Sequence, residues 1–139
     1  MLLLDTHVWL WSVEGDVRRI GRRTRAWLAR AESQEAIRIS PVTLFELTAL
    51  HTIGRLRLAR AVESWIQEAL AAAGVRIAEL SPAIATDAGH IPRDALADPL
   101  DRLLVATARR LDATFLTSDE RILDYASSTG NVRIHDART

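Results

Sequence analysis

The 139-residue sequence contains neither cysteine nor lysine. Without cysteine, the chain can form no disulfide framework, thiolate nucleophile or cysteine-ligated zinc site. Without lysine, it lacks the amine of Schiff-base chemistry and the phosphate-binding lysine of a P-loop. All 18 basic residues are therefore arginines. Any phosphate that the protein holds through cations is held by guanidinium groups, which suit bidentate contacts.

Long hydrophobic runs are also missing, since the longest apolar stretches have only a few residues. A bilayer-spanning helix needs roughly 18–20 such residues. The first residues lack the basic segment and cleavage site of a signal peptide. The 18 acidic and 18 basic residues cancel, so overall charge predicts no polyanionic partner. We expect a cytoplasmic protein with one domain over residues 1–139 and no membrane association.

Short apolar runs alternate with segments of helical periodicity. The predicted strands are residues 2–4, 37–39, 75–80, 114–117 and a last edge strand at 132–134. The predicted helices are residues 6–13, 17–32 (capped by Asp16), 42–53, 59–73, 82–89, 99–111 and a short one after Asp119. Several helices open with a cap followed by proline, as at Asp98–Pro99. This alternation predicts an α/β fold with a mainly parallel sheet.

Four acidic residues lie at the ends of predicted strands or in the first turns of the following helices: Asp5, Glu46, Asp101 and Asp119. Functional sites of open α/β sheets gather at the carboxyl ends of the strands. Aspartate at a helix N-terminus also has a simpler explanation as a cap. Glu46 resists that explanation, because its helix neighbours are almost all apolar. Burying a carboxylate without a partner costs several kcal/mol.

Carboxylates that converge at one place need either protons or a cation. Two of them ~4 Å apart repel by about 4 kcal/mol at an effective dielectric constant near 20. A cluster of oxygen ligands suits Mg²⁺ or Mn²⁺, and such an ion activates water and neutralises charge on a phosphate. The acids therefore indicate a metal site that activates water for attack on a phosphate, a chemistry that needs no nucleophilic side chain.

In these features the chain resembles the PIN-domain ribonucleases of the VapC type, which are toxins of prokaryotic toxin–antitoxin pairs. The segments that carry the resemblance, in the expected order, are residues 3–7, 40–47, 98–106 and 116–119. The most specific is the Asp-Pro-x-Asp-Arg-Leu-Leu block that begins at Asp98. The resemblance implies a three-layer α/β/α sandwich whose mainly parallel central sheet has four to five strands.

The resemblance also implies the roles of individual residues. The catalytic and metal-binding quartet would be Asp5, Glu46, Asp101 and Asp119. Asp98 is an alternative ligand, although we favour Asp101 as the ligand and Asp98 as the N-cap. The residues expected to orient ligands or water through hydrogen bonds are Thr6, Thr117 and Ser118.

The activity implied by the family is Mg²⁺- or Mn²⁺-dependent endonucleolytic cleavage of RNA that leaves 3′-hydroxyl and 5′-phosphate ends. The implied partners are a second copy of the chain and a cognate VapB-like antitoxin that occludes the acidic site. The alternative is a non-catalytic PIN-fold module that binds RNA or protein. The intact quartet argues against it, because a binding module has no reason to hold repelling acids together.

Three further patterns each allow two interpretations. The arginine-rich segment of Arg18, Arg19, Arg22, Arg23 and Arg25 suits a solvated helix face or contacts to an RNA backbone. Arg102 would touch a substrate phosphate or pair with an acid such as Asp98. The apolar stripe of Leu47, Leu50, Ile53 and Leu56 suits a dimer surface or the core. The four tryptophans are expected in the core or an interface rather than stacked on bases, and His7 at the rim of the site.

Overall fold

The computed structural model describes residues 1–139, which form five strands and seven helices. The strands are β1 (Leu2–Leu4), β2 (Ile37–Ile39), β3 (Val75–Ile77), β4 (Thr114–Thr117) and β5 (Ile134–Asp136). The helices are α1 (Thr6–Glu14), α2 (Arg22–Ser33), α3 (Pro41–Thr52), α4 (Val62–Leu70), α5 (Pro82–His90), α6 (Pro99–Leu111) and α7 (Glu120–Thr129). None of these helices has the length and apolarity that crossing a bilayer requires.

All five strands lie in one sheet in the order β3-β2-β1-β4-β5, and every pair is parallel. After β1 the chain moves outward through β2 to β3, then crosses back to β4 and continues to β5. The direction of winding therefore reverses between β1 and β4. The crevice beyond the carboxyl ends of two such strands is where open α/β sheets bind their ligands.

Alternating side chains of the central strands build two cores, one on each face of the sheet. Leu4 packs on one face with Trp9 of α1 and Trp65 of α4. Leu3 packs on the other face with Leu104 of α6. Helix α5 covers α6 through a small separate cluster of Ile84, Ala88 and Ala106. The predicted three-layer α/β/α sandwich is confirmed, with five strands in its sheet.

The helix predicted to begin at Val17 begins instead at Arg22. Helix α1 ends at Gly15, whose left-handed φ of 69° reverses the chain, and residues 17–20 form turns. The N–H of Asp16 bonds to the carbonyl of Trp11, so Asp16 closes α1 and does not cap α2.

The cap of α2 comes from a distant part of the chain. Gly21 is the N-cap and has no side chain with which to cap. The N–H groups of Arg23 and Thr24 donate instead to the backbone oxygen of Thr139, at 3.0 and 3.2 Å. A Cβ atom on Gly21 would lie 2.1 Å from the carbonyl carbon of Thr139, so only glycine allows this close approach.

Three other predicted elements differ from the observed bounds by more than one residue. The helix predicted over residues 59–73 is limited to Val62–Leu70, and the strand over 75–80 to Val75–Ile77. The edge strand predicted at residues 132–134 lies at Ile134–Asp136, where Asp136 pairs with Thr117. Two of the three residues of this strand are polar, so a search for apolar runs does not find its true bounds. Strands β1, β2 and β4 and helix α6 have the predicted bounds.

Candidate active site

A small pocket of about 170 Å³ lies beyond the carboxyl ends of β1 and β4, where the winding of the sheet reverses. None of its lining residues is apolar; they are Asp5, His7, Glu46, Asp98, Asp101, Ser118 and Asp119. The structure thus brings together all four acids of the predicted quartet, and Asp98 as a fifth carboxylate. His7, expected at the rim, is part of the lining.

Asp5 is held by hydrogen bonds to both of its carboxylate oxygens. It follows β1 directly and caps α1, where the N–H of Thr6 donates to Oδ1 at 2.8 Å. The Thr117 hydroxyl donates to Oδ2 at 2.6 Å. Burial raises the pKa of Asp5, and the bonds from Thr117 and Thr6 partly offset that rise. The carboxylate is therefore fixed in position at the base of the pocket.

Asp101 is the most buried carboxylate of the site. It lies in the first turn of α6 and is only 7% exposed. Burial, followed by repulsion from Asp98, Asp5, Asp119 and Glu46, raises its pKa to about 8. Near neutral pH, this side chain therefore holds a proton unless a cation replaces it.

Asp98 and Asp119 each combine a helix cap with a place in the pocket wall. Asp98 accepts a hydrogen bond from the Leu100 N–H at 2.9 Å, which confirms the predicted N-cap. Asp119 accepts one from the Arg121 N–H at 2.8 Å. Each cap uses one carboxylate oxygen, so the other oxygen is available to a ligand.

Glu46 reaches the pocket from α3, six residues after the Ser40 cap. The preceding residue, Phe45, is 63% exposed. The helix therefore turns an acid toward the pocket and an aromatic ring toward solvent. The apolar pattern of this helix does not by itself indicate that Phe45 is exposed.

The three hydroxyl residues have different positions. Thr117 links two acids, because it donates to Asp5 and accepts from the Asp119 N–H at 3.0 Å. Ser118 lines the pocket. The role expected for the Thr6 hydroxyl is not found, since Thr6 Oγ1 is buried without a partner and only the backbone N–H contacts Asp5.

None of the predicted arginines lines the acidic pocket. Arg18 and Arg19 lie in the turn before α2, and Arg22, Arg23 and Arg25 lie on its exposed side, so the five do not share one helix face. Two of them cover tryptophans: the guanidinium of Arg19 lies 5.5 Å from the Trp11 ring centre, and that of Arg23 5.3 Å from Trp27.

The pairing of Arg102 with Asp98 is not found. One guanidinium nitrogen of Arg102 donates to the carbonyl of Ala97 at 3.4 Å, and its Nε is buried without a partner. Because Asp98 is engaged with the start of α6, it does not turn toward this guanidinium. Arg102 therefore keeps an uncompensated positive charge one residue from Asp101.

The donor set of the pocket fits a hard divalent cation, because it offers carboxylate oxygens and no sulfur. A cation would also relieve the repulsion that raises the pKa of Asp101. As placed, no three acidic or histidine side chains converge closely enough to enclose an ion. Binding would therefore draw the carboxylates inward from these positions.

Comparison with known proteins agrees with this geometry. The family model described as PIN domain matches residues 2–127. The chain is 33% identical over 122 residues to Ribonuclease VapC22 of Mycobacterium tuberculosis, which covers 87% of this chain and 88% of that protein.

The fold matches those of solved structures. DNA-bound VapBC from Salmonella typhimurium aligns with a TM-score of 0.69 and 18% identity, over 97% of this chain and 96% of the other. FitAcB from Neisseria gonorrhoeae aligns with a TM-score of 0.62 and 23% identity, over 99% and 98%. The extent of the family match and the identity to a VapC protein lead to one conclusion: this chain belongs to the PIN domain family.

Proposed function

We propose that the chain is an endoribonuclease that hydrolyses RNA phosphodiester bonds with metal-activated water and acts as the toxin of a toxin–antitoxin pair. The observation that carries the proposal is Asp101, which is buried among four other carboxylates in a pocket without apolar residues. The 33% identity to a protein named Ribonuclease VapC22 supports RNA as the substrate.

In this proposal, Mg²⁺ or Mn²⁺ is held by Asp5, Asp101, Glu46 and Asp119. The bound cation supplies a water of lowered pKa and neutralises charge on the scissile phosphate. The side chains of the protein hold the proposed ligands in place. Thr117 and the Thr6 N–H fix both oxygens of Asp5. Asp98 and Ser118 complete the wall, where they orient water or ligands by hydrogen bonding.

The catalytic proposal gives a reason for the electrostatic repulsion in the pocket, whereas a role in binding alone does not. Five carboxylates face one small pocket, and no cation among the neighbouring side chains lowers the pKa of Asp101. Such an arrangement destabilises the fold and repels RNA. It becomes useful once a divalent cation neutralises it, which is why we favour hydrolysis over the non-catalytic alternative.

We further propose that residues 1–139 form one PIN domain, that two copies associate, and that a VapB-like antitoxin occludes the acidic pocket. The VapBC and FitAcB structures that share this fold support an antitoxin partner. An exposed apolar face on α3 supports self-association: Phe45 and Ile53 are 63% and 64% exposed and line one shallow surface groove. Of the predicted stripe, only Ile53 belongs to this face, because Leu47 is buried in the core.

The test is cleavage of a structured RNA pool by purified protein in Mg²⁺, in Mn²⁺ and in EDTA. Asp5→Asn should abolish cleavage and weaken Mn²⁺ binding measured by calorimetry. Asp124→Asn is the matched control, because Asp124 is exposed on α7 and does not line the pocket. Absence of both cleavage and Mn²⁺ binding in the wild-type protein would contradict the proposal and favour the binding module.

A further inference from the structure

An acidic pocket cannot hold an RNA strand by itself, because its carboxylates repel the phosphates on either side of the bond to be cut. The strand needs cations or stacking surfaces next to the pocket. His7 is a lining residue of the pocket, and its helix carries an aromatic surface in contact with it.

That surface is Trp11, one turn further along α1. The rings of His7 and Trp11 have centres 5.9 Å apart and are tilted by 49°. Nucleotides of a stacked strand advance by ~3.4 Å each. A base at Trp11 would therefore be about two nucleotides from a phosphate next to His7.

The positively charged guanidinium of Arg19 lies over the ring of Trp11. The left-handed Gly15 ends α1 and turns the chain back, so that the guanidinium of Arg19 lies 5.5 Å from the centre of the Trp11 ring. Asp16 holds that guanidinium through an ion pair of 3.2 Å. The guanidinium thus lies against the indole, whose ring in turn contacts the pocket residue His7.

Trp11 differs from the other tryptophans in what surrounds it. Trp9 and Trp65 are buried and contact each other edge to face, at 5.2 Å. Trp27 is stacked on His135 at 4.2 Å, which covers one face of its ring. Trp11, like Trp27, is partly exposed and packs against the core, but the aromatic ring in contact with it belongs to a residue of the pocket.

We propose that Trp11 and Arg19 form a platform on which one nucleobase of single-stranded RNA stacks, so that the adjoining backbone enters the acidic pocket. Arg19 lies close enough to the stacked base to contact the phosphate beside it. Stacking itself does not select among the bases, because every base has a π face. The inference rests on the proposed ribonuclease function and makes Trp11 a positioning residue for its substrate.

The test measures the affinity of the full chain for a single-stranded RNA oligonucleotide that the wild-type protein cleaves. Asp101→Asn serves as the parent, so that the RNA stays intact. Trp11→Leu, added to this parent, should weaken binding roughly 5- to 150-fold, the range for loss of one base–aromatic stack. Trp11→Phe should bind within about 3-fold of the parent because it keeps a ring. Trp27→Leu is the matched control, a tryptophan also covered by an arginine but outside the pocket contacts.

An abasic nucleotide scanned along the oligonucleotide separates stacking from a folding defect. At one position within about two nucleotides of the cleaved bond, the missing base should weaken binding to the parent and have no effect on Trp11→Leu. Equal affinity of Trp11→Leu and the parent, or an abasic penalty that persists in Trp11→Leu, would overturn the platform. Failure of the wild-type protein to cleave any RNA would instead overturn the proposed function.

Discussion

The Thr117 hydroxyl donates a 2.6 Å hydrogen bond to Oδ2 of Asp5, across the carboxyl ends of two adjacent parallel strands. The hydroxyl oxygen of Thr117 also accepts a hydrogen bond from the Asp119 N–H, at 3.0 Å. One small side chain therefore connects the end of β1, the end of β4 and the start of α7. It sets the distance between two of the acids that we propose as metal ligands.

Thr117→Val should lower kcat about 10- to 100-fold while the fold is retained, because valine has the same shape and lacks the donor. In the wild-type protein, the hydrogen bond from Thr117 lowers the pKa of Asp5 and partly offsets the rise caused by burial. Without this bond, the pKa of Asp5 rises further. The acidic limb of the pH–rate profile should therefore move to higher pH. Thr114→Val, at the start of the same strand, is the control and should leave the profile unchanged. An unshifted profile for Thr117→Val would mean that this bond does not tune Asp5.

Asp101→Asn should abolish activity but stabilise the metal-free protein at alkaline pH. The folded protein raises the pKa of Asp101 from 3.8 to about 8, so between these values the native state binds a proton that the unfolded chain does not. Stability of the wild-type protein in EDTA should therefore fall as pH rises from about 4 to 8. Asp101→Asn removes this dependence on pH. At pH 8 the free energy of unfolding of the variant should exceed that of the wild-type protein by on the order of 2 kcal/mol, which is well below what the full pKa shift would give.

Urea unfolding in EDTA at pH 5 and pH 8 measures that difference. The exposed Asp124→Asn should follow the wild-type protein at both values. If Asp101→Asn and the wild-type protein lose the same free energy of unfolding between pH 5 and pH 8, the pKa of Asp101 is not raised by folding.

Gly21→Ala should destabilise the protein by about 1–3 kcal/mol, because the new Cβ would meet the backbone of Thr139 at 2.1 Å and displace it from the start of α2. Gly89→Ala is the matched change. Gly89 lies in α5 with no atom within 4 Å of an added Cβ, so alanine there should stabilise by up to about 0.5–1 kcal/mol. Thermal unfolding of both variants gives the comparison, and equal effects would show that Thr139 does not dock on α2.

Phe45→Glu should convert the proposed dimer to a monomer while the free energy of unfolding changes little, because this ring is exposed in the single chain. Sedimentation analysis across a range of concentrations measures the change. Leu80→Glu, at another exposed apolar residue, should remain dimeric. A wild-type protein that is monomeric throughout would remove the dimer from the proposal.

The sequence predicted the bounds of helices and strands best where those bounds depend on interactions between residues close together in the chain. The buried strand before Asp5 and the Asp98–Pro99 start of α6 have the predicted bounds, because apolar runs and cap-plus-proline signals act over a few residues. The proximity of Asp5 and Asp119 followed from their positions after two predicted strands of a mainly parallel sheet, since parallel strands place their carboxyl ends at one edge.

The remainder depends on distant contacts. Nothing local marks Gly21 as the place where Thr139 docks, so the start of α2 was predicted five residues early. The same turn places Arg19 over Trp11, an arrangement that the arginine spacing does not predict. The Thr6 hydroxyl was expected to orient ligands or water, whereas its Oγ1 atom is buried without a partner.

The central claim is hydrolysis of RNA by water held among Asp5, Glu46, Asp101 and Asp119, and the chemistry of the product ends tests it most directly. A 5′-labelled RNA cleaved in Mn²⁺ should give fragments with 3′-hydroxyl ends and partner fragments with 5′-phosphates. Neither should form in EDTA or with Asp101→Asn. Fragments ending in a 2′,3′-cyclic phosphate, formed equally in EDTA, would mean that the RNA's own 2′-hydroxyl is the nucleophile and would contradict the account.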